Sequence, residues 1–143
     1  MIVPDVNLLL YAYDTTSPFH VDARRWLETL LSGRELVGLT RPVVFGFVRI
    51  ATSPRVYRKP MTLAAAAGHV KSWLGRPVSR MLEPDADHVD RVMELLAAAG
   101  SSGGNLVGDA QIASLALTHR AVIHTADRDF LRFPKVKVRY PLD

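Results

Sequence analysis

The sequence predicts an α/β fold in which helices cover both faces of a central, mostly parallel sheet of about five strands. Short apolar runs alternate along the chain with longer segments of helical periodicity. Such alternation is typical of strand–helix–strand units, which build parallel sheets. The 143 residues contain no internal repeat or linker, so we expect one domain over residues 1–143 with a real core.

Helix-start signals divide the first half of the chain. Ser17, Thr40 and Thr62 are predicted N-caps, because a side-chain oxygen at this position accepts a hydrogen bond from the first turn. Pro18 follows one of these caps and Gly33 stands just past the end of the same helix. The predicted strands are residues 1–4 and 35–39, and the predicted helices are residues 6–14, 17–33, 41–52 and 63–75, with a loop at 53–60.

The second half of the chain alternates in the same way. Its helix at 85–100 has a predicted apolar stripe at helical spacings, formed by Val89, Val92, Met93 and Leu96. Phe130 is expected to anchor a helical turn in the core. The other predicted elements are strands at 79–83, 121–125 and 136–140, a helix at 107–120, a Gly/Ser loop at 101–106 and the turn at 127–133.

Positive charge is concentrated in the middle of the chain. The net charge is +4 and the sequence pI is about 9.8, which alone is a weak sign of a polyanionic partner. From Leu36 to Leu82 there are eight Lys and Arg residues and no Asp or Glu, so this segment carries +8 and the rest of the chain −4. The pattern suits either a solvated basic face or a nucleic-acid surface.

Composition excludes several classes of site. The chain has no cysteine, which rules out disulfides and thiolate metal sites and is typical of a cytoplasmic protein. No apolar run is long enough to span a bilayer, and the N-terminal residues lack the layout of a signal peptide, so no membrane association is expected. The sequence also lacks a GxSxG elbow, a P-loop and a GxGxxG motif.

Acidic residues stand at the predicted carboxyl ends of two strands. Asp5 follows the first strand, and Asp127 lies just beyond the fourth. Sites in parallel sheets form at this edge, so the two carboxylates meet if the two strands are neighbours. Asp109 shares a helical stripe with Ile112 and Ala116 that should face the sheet, which places a third acid inward near a loop edge.

Each of the three acids also has an ordinary structural explanation. Asp5 could cap the helix that begins at Val6, and Asp109 could interact favourably with a helix dipole. Asp127 could cap the turn that runs to Phe133. Three carboxylates at one edge would repel one another, however, unless a cation lay among them. Oxygen ligands suit a hard divalent ion such as Mg²⁺ or Mn²⁺.

Polar neighbours of these acids are candidates for a supporting role. Asn7 and Thr125 could orient carboxylates or waters, or could make only local turn bonds. Asp129 could reach a metal through water, or could be a surface residue. The five histidines lack metal-ligand spacing, so we expect them to be structural or exposed.

Three segments resemble the PIN-domain family, and more narrowly the VapC-type toxins of bacterial toxin–antitoxin pairs: "PDVNLLLYAYD", "GNLVGDAQIASLAL" and "HTADRDFLRFP". "ATSPRV" (51–56) and "LEP" (82–84) look like one branch of those toxins. The resemblance runs along nearly the whole chain. It implies a three-layer α/β/α fold, a metal-dependent endoribonuclease, a homodimer and a small antitoxin that blocks the site. The implied substrates are structured RNAs, either transfer or ribosomal.

The resemblance also implies roles for particular residues. The family's three acids fall on Asp5, Asp109 and Asp127. Many members carry a glutamate on the helix after the second strand, but here Gly46 stands near that position and residues 36–82 hold no acid. Either three acids and waters hold the ion, or Asp129 helps, or the metal binds weakly.

These observations lead to an expected mechanism. Asp5 and Asp109 would hold Mg²⁺, or Mn²⁺, while Asp127 would bind the ion directly or through water, or help to aim the attacking water. Cleavage would leave a 5′-phosphate, as the resemblance implies. The candidate contacts to RNA phosphates all lie in the basic middle of the chain: Arg49, Arg55, Arg58 and Lys59.

Two other functions compete with this one. A degenerate domain that has lost the glutamate could bind RNA or an antitoxin without cutting. A phosphatase or phosphoacceptor could use Asp5 as its nucleophile, but such sites need a second nearby acid, where this chain has Asn7. The apolar segments "VVFGFV" (43–48) and "MELLAAA" (93–99) could supply a dimer surface, although core packing explains them equally well.

Overall fold

The computed structural model describes residues 1–100 and 103–143. Its strands are β1 (Ile2–Pro4), β2 (Val37–Leu39), β3 (Ser79–Met81), β4 (Val122–His124) and β5 (Lys137–Arg139). Its helices are α1 (Val6–Tyr13), α2 (His20–Ser32), α3 (Arg41–Ala51), α4 (Leu63–Leu74), α5 (His88–Ala98) and α6 (Leu106–Thr118), and a 3₁₀ turn spans Arg128–Arg132. Within these residues the five strands form one parallel sheet in the order β3-β2-β1-β4-β5, which confirms the predicted fold class.

The centre of the sheet is the pairing of β1 with β4. Val3 lies opposite Ile123 and Pro4 opposite His124, and the backbone N–H of Asp5 donates to the His124 carbonyl at 2.8 Å. The chain therefore leaves both strands at the same edge of the sheet. The strand order also reverses between β1 and β4, and such a switch point is where parallel sheets form their sites.

Helices lie on both faces of this sheet. The pairs α1–α2 and α3–α4 carry the chain in one direction, from β1 to β2 and on to β3. The pair α5–α6 then returns it across the sheet from β3 to β4. Because crossovers between parallel strands are right-handed, this reversal puts α5 and α6 on the opposite face and gives the predicted α/β/α layers.

The core joins the short strands to the segments that cover them. Val3 and Ile123 have no exposed surface and Leu39 has 1%, as expected for strands that are covered on both faces. Phe130 is also fully buried, and its ring contacts that of Phe133 edge-on with centroids 6.1 Å apart. The predicted anchoring of the turn after β4 by Phe130 is therefore confirmed.

Two of the three predicted helix caps are confirmed. The hydroxyl of Thr40 accepts a hydrogen bond from the Val43 N–H, and that of Thr62 accepts one from Ala65. The prediction for α2 is wrong, because this helix begins at His20 and its N-cap position makes no side-chain hydrogen bond. The hydroxyl of Ser17 instead accepts the N–H of Phe19 at 3.1 Å, which forms a turn before the helix.

The predicted stripe of α5 is half wrong. Val92, Leu95 and Leu96 are buried, whereas Val89 and Met93 are 65% and 61% exposed. The helix carries apolar residues on two adjacent faces, and both sets have helical spacing. Periodicity alone does not choose between such faces, and packing against α6 decides.

Two glycines shape the described part of the segment before α6. Residues 101 and 102 of the predicted Gly/Ser loop lie outside the described residues. Gly103 and Gly104, which follow them, have φ angles of 104° and 66°, a region that favours glycine. No helix in the described part of the chain is long and apolar enough to cross a membrane.

The buried ring of Phe130 provides a test of the fold. We expect Phe130→Ala to lower the free energy of unfolding by about 3–5 kcal/mol, because it leaves a cavity beneath the turn after β4. Leu131→Ala is the matched control, since Leu131 is the next residue and is 65% exposed. Urea unfolding followed by circular dichroism measures both. Equal losses for the two variants would contradict the anchoring role.

Candidate functional site

Asp5 is buried, with only 3% of its surface exposed. It follows β1 and caps α1, and its Oδ1 accepts a hydrogen bond from the Val6 N–H at 2.7 Å. Its Oδ2 accepts one from the Thr125 hydroxyl, also at 2.7 Å. Burial raises the pKa of Asp5 above its ordinary value, the hydrogen bonds from Thr125 and Val6 oppose this rise, and the charge of Asp127 adds to it. The capping role and the inward position are therefore both present.

Thr125 and Asn7 connect the ends of β1 and β4. The buried hydroxyl of Thr125 donates to Asp5 and accepts the backbone N–H of Asp127 at 2.9 Å. The Nδ2 of Asn7 donates to the Thr125 hydroxyl at 3.4 Å, and its Oδ1 accepts the Ala126 N–H at 3.3 Å. The pair makes local turn bonds and also holds a site carboxylate in place.

The chain turns after β4 and brings two acids to the same edge. Asp127 caps the 3₁₀ turn, and its Oδ1 accepts the backbone N–H of Asp129 at 2.8 Å. In the part of the chain that the structure describes, the Oδ2 of Asp127 accepts no hydrogen bond. The capping explanation holds, and it leaves one oxygen of this carboxylate available.

Asp109 joins these two acids from the first turn of α6. One carboxylate oxygen from each of Asp109, Asp127 and Asp129 lies within 4.8 Å of the other two. Asp109 and Asp127 are half-buried, whereas Asp129 is exposed. Ile112 and Ala116, which follow on the same stripe of the helix, are buried as the sequence predicts.

Mutual repulsion dominates the electrostatics of this group. The pKa of Asp109 is raised to about 7, first by burial and then by the charges of Asp5, Asp127 and Asp129 in that order of importance. No positive side chain among the described residues contributes to that shift. Among the described residues the site is thus a group of acids without a protein cation, and Asp109 takes up a proton near neutral pH.

The donors fit a hard divalent cation. They are all carboxylate oxygens, which Mg²⁺ and Mn²⁺ prefer, and three of them converge. Asp5 is not in the converging group because its oxygens face Val6 and Thr125, yet among the neighbouring charges it has the largest effect on the pKa of Asp109. Of the predicted ligands, the structure brings Asp109 and Asp127 together, adds Asp129 and places Asp5 beside them. Their role as ligands stays a prediction.

The predicted RNA contacts are exposed cations without ion pairs. Arg49, Arg55, Arg58 and Lys59 are all exposed, and within the described residues none forms an ion pair or donates a side-chain hydrogen bond. Other arginines on the surface are paired, as in the 2.7 Å contact of Arg41 with Glu83. These four side chains are therefore free to meet phosphates, although no contact ties them to the acids.

Gly46, which stands near the family's glutamate position, faces the start of α1. A Cβ at this position would meet Cγ2 of Val6 at 3.7 Å, an ordinary van der Waals contact. Val6 is the residue directly after Asp5. A larger side chain at residue 46 would therefore fit, and it would extend from α3 toward the start of α1, next to Asp5.

The sequence alone does not decide whether Asp129 is a metal ligand or a surface residue. A signal for it exists in the two-residue spacing from Asp127, because an Asp side chain often accepts the N–H two residues on. That turn folds Asp129 back toward Asp127. The histidines take no part in the acidic group across the described residues. His124, for example, accepts the indole N–H of Trp26 at 3.1 Å.

Comparisons with known proteins bear on the resemblance. A family model described as "PIN domain" matches residues 2–136. Ribonuclease VapC33 of Mycobacterium tuberculosis is 41% identical over 142 residues, which is 99% of each chain. In the VapBC2 complex of Rickettsia felis, a chain 20% identical aligns with a TM-score of 0.68 over 97% of this chain and 98% of that one. VapC20 of M. tuberculosis, described as a Sarcin-Ricin loop cleaving toxin, aligns with a TM-score of 0.68 at 17% identity, over 96% and 99%.

The raised pKa of Asp109 predicts how stability depends on pH without metal. Because the pKa is about 7 in the folded chain and about 3.8 otherwise, the proton stabilises the fold at low pH and this contribution is lost as the pH rises through 7. We expect the urea midpoint in EDTA to fall as the pH rises from about 4 to about 7 and to level off above pH 7. Asp109→Asn should flatten that fall, whereas the exposed Asp90→Asn should not. An unchanged slope in Asp109→Asn would show that another group titrates.

Proposed function

The chain belongs to the PIN-domain family, and within it to the VapC ribonucleases, and from this premise we propose that it is a metal-dependent endoribonuclease, the toxin of a type II toxin–antitoxin system. The observation that carries the proposal is the convergence of Asp109, Asp127 and Asp129 beside the buried Asp5. Capping accounts for Asp5 and Asp127 singly, but no positive side chain among the described residues lowers the pKa of Asp109, and a bound metal ion would offset the repulsion within the group.

Four acids are the proposed metal-binding residues. Asp109, Asp127 and Asp129 would supply one oxygen each to Mg²⁺, or to Mn²⁺, and Asp5 would complete the site, since each of its oxygens keeps a second lone pair. When bound, such an ion lowers the pKa of a coordinated water and offsets negative charge on the phosphate.

The side chains of the protein have separate tasks in hydrolysis. Thr125 and the Val6 N–H favour the ionised form of Asp5, because both donate to the carboxylate, and so they oppose the rise in its pKa that burial causes. Asp127, whose Oδ2 is free among the described contacts, would accept a hydrogen bond from the attacking water and aim it at phosphorus. In-line attack breaks the bond from phosphorus to the 3′ oxygen, so the products are a 5′-phosphate and a 3′-hydroxyl.

The basic side chains would bring RNA to this acidic edge. Arg49, Arg55, Arg58 and Lys59 have no partners among the described residues, so contact with phosphate costs them no ion pair. Their charge offsets the repulsion between the acids and the RNA backbone. The proposed substrate class is structured RNA, transfer or ribosomal, and the second of these agrees with the description of VapC20 as a toxin that cleaves the sarcin–ricin loop.

The proposed partners are a small antitoxin and a second copy of the chain. Solved complexes of similar fold pair a toxin with its antitoxin, as in VapBC2. The segments "VVFGFV" and "MELLAAA" mainly serve the core, since Val43, Val44, Phe47, Leu95 and Leu96 are buried. Each nevertheless exposes one large side chain, Phe45 at 66% and Met93 at 61%. We propose these as a homodimer surface, which sedimentation equilibrium would test, and we place the protein in the cytoplasm with its RNA substrate.

A second function remains in competition. Gly46 at the glutamate position favours a module that binds RNA or the antitoxin without cutting. A phosphoacceptor role for Asp5 is not favoured, because its carboxylate is 3% exposed and both oxygens accept hydrogen bonds. Cleavage of RNA by the purified chain distinguishes the nuclease from the binding module.

Removal of the Asp109 charge tests the nuclease directly. We expect Asp109→Asn to lower RNA cleavage in Mg²⁺ or Mn²⁺ by at least about 100-fold. Changing a residue that only orients a metal ligand lowers activity by up to about 100-fold, and the loss of a ligand itself should cost at least as much. Its fold should persist, because the change relieves repulsion. Asp90→Asn is the control, and mapping of 5′-phosphate ends after induction in cells, with Asp5→Ala in parallel, measures the activity. Undiminished cleavage by Asp109→Asn would overturn the site.

Restoration of an acid at residue 46 tests the effect of the missing glutamate. We expect Gly46→Glu to lower the Mn²⁺ concentration that gives half-maximal cleavage, because a fifth carboxylate would add a ligand near Val6 and therefore near Asp5. Gly46→Gln is the matched control, since it has the same size without the charge. A metal titration of cleavage rate compares them. If the two variants respond alike to metal, the position does not face the site.

A further inference from the structure

A cavity of about 630 Å³ lies where α1 and α3 end. Leu10 and Phe47 contribute apolar surface to it, and Tyr13 and Tyr57 contribute aromatic rings. The segment after α3 completes the wall and places Arg58 and Lys59 at the opening. None of the four site acids lines this cavity. Its combination of apolar surface, phenol rings and cations needs an explanation of its own.

One ring of this wall, that of Tyr13, is held in place by the residues behind it. The indole N–H of Trp73 donates to the Tyr13 hydroxyl at 2.8 Å, and the His69 ring lies 4.1 Å from that of Tyr13. Phe47 meets both Tyr13 and Trp73 edge-on, at 5.7 and 4.7 Å between centroids. Trp73 and Phe47 are almost completely buried. A ring fixed in this way loses little conformational entropy when a flat group stacks on it.

Charge is distributed unevenly around the cavity. Arg58 and Lys59 are exposed, and in the described part of the chain they have no ion pair. Asp14 also lines the cavity, and its Oδ1 is held by the N–H and hydroxyl of Thr16, at 3.0 and 2.6 Å. A phosphate would therefore be attracted to the two cations and repelled by the Asp14 carboxylate. A ligand that is neutral and flat at one end and anionic at the other satisfies both.

An RNA strand bound at the acidic edge would be long enough to reach the cavity. Helix α1 joins the two places, since it starts directly after Asp5 and ends at Tyr13. Its eight residues span about 12 Å, a distance that a few linked nucleotides cover.

We propose that this cavity binds one unstacked base of the RNA, stacked against Tyr57 and Tyr13, while Arg58 and Lys59 contact the adjoining phosphates. The proposal rests on the proposed function, because it takes RNA to be the substrate. It deepens that function by placing a base-binding site a few nucleotides from the bond that is cut. Aromatic stacking of this kind accepts any base, so it adds affinity without defining a sequence.

The test measures RNA binding by the full chain in the Asp109→Asn background, so that cleavage does not interfere. The probes are a fluorescent octamer of uridylate and an octamer of the same length whose sugars carry no bases, each followed by anisotropy. We expect Tyr57→Ala to weaken binding of the uridylate octamer about 10-fold and to leave the base-free octamer unaffected. Tyr57→Phe, which keeps the ring, should bind nearly as the parent does. Arg58→Ala should lower the slope of log affinity against log salt by about one, and Lys71→Ala, outside the cavity, provides the comparison.

Several outcomes would overturn the proposal. One is equal weakening on both octamers by Tyr57→Ala, because the ring would then act on something other than a base. Another is a failure of the Asp109→Asn chain to bind either octamer. A third is unchanged RNA affinity with altered self-association or antitoxin binding, which would make the cavity a protein-docking site.

Base-dependent binding at Tyr57 without any cleavage by the parent chain would support the cavity and refute the nuclease. Cleavage that Tyr57→Ala leaves intact, with unchanged binding, would refute the cavity alone.

Discussion

The acidic edge of the sheet depends on the buried hydroxyl of Thr125. It donates to Asp5 at 2.7 Å and accepts the Asp127 N–H at 2.9 Å, so one group fixes the carboxylate after β1 and the turn after β4. A hydroxyl suits this position because it is both donor and acceptor. Valine has the same shape, but it would leave the Asp5 oxygen and the Asp127 N–H without partners in a buried place. The parallel pairing of β1 and β4 brings these groups into range.

This geometry holds carboxylates that repel one another close together in the folded chain. Asp109 has a pKa near 7 because burial and three neighbouring charges oppose its ionisation. The acids stay together because packing fixes the elements that carry them. The buried ring of Phe130 anchors the turn after β4, and Ile112 lies on the buried face of α6. A bound cation would relieve the repulsion. In the proposed function, therefore, stability, pH and metal affinity are coupled through one group of side chains.

The fold and half of the site follow from local features of the sequence. Strand–helix alternation predicts the α/β class, and the positions of Asp5 and Asp127 after strands predict a shared edge, because parallel strands end together. The exposure of Met93 was not predictable, since α5 has two apolar faces and only packing selects one. The two-residue spacing from Asp127 is a signal for the turn at Asp129, but the spacing alone does not predict that this turn brings Asp129 close to Asp109. Such misses arise where tertiary contacts decide between local alternatives of similar energy.

Because residue 46 is glycine, the two sides of the proposed site differ in charge. Without an acid on α3, the carboxylates come from β1, α6 and the turn after β4, whereas the α1–α3 side has aromatic rings and unpaired cations. A glutamate at residue 46 would extend negative charge toward Arg49, one turn further along the same helix. Without it, Arg49, Arg58 and Lys59 have no ion pair in the described part of the chain, which favours contact with phosphate. Weaker metal binding and stronger RNA binding would then have the same cause, so the loss of one acid does not by itself indicate a loss of function.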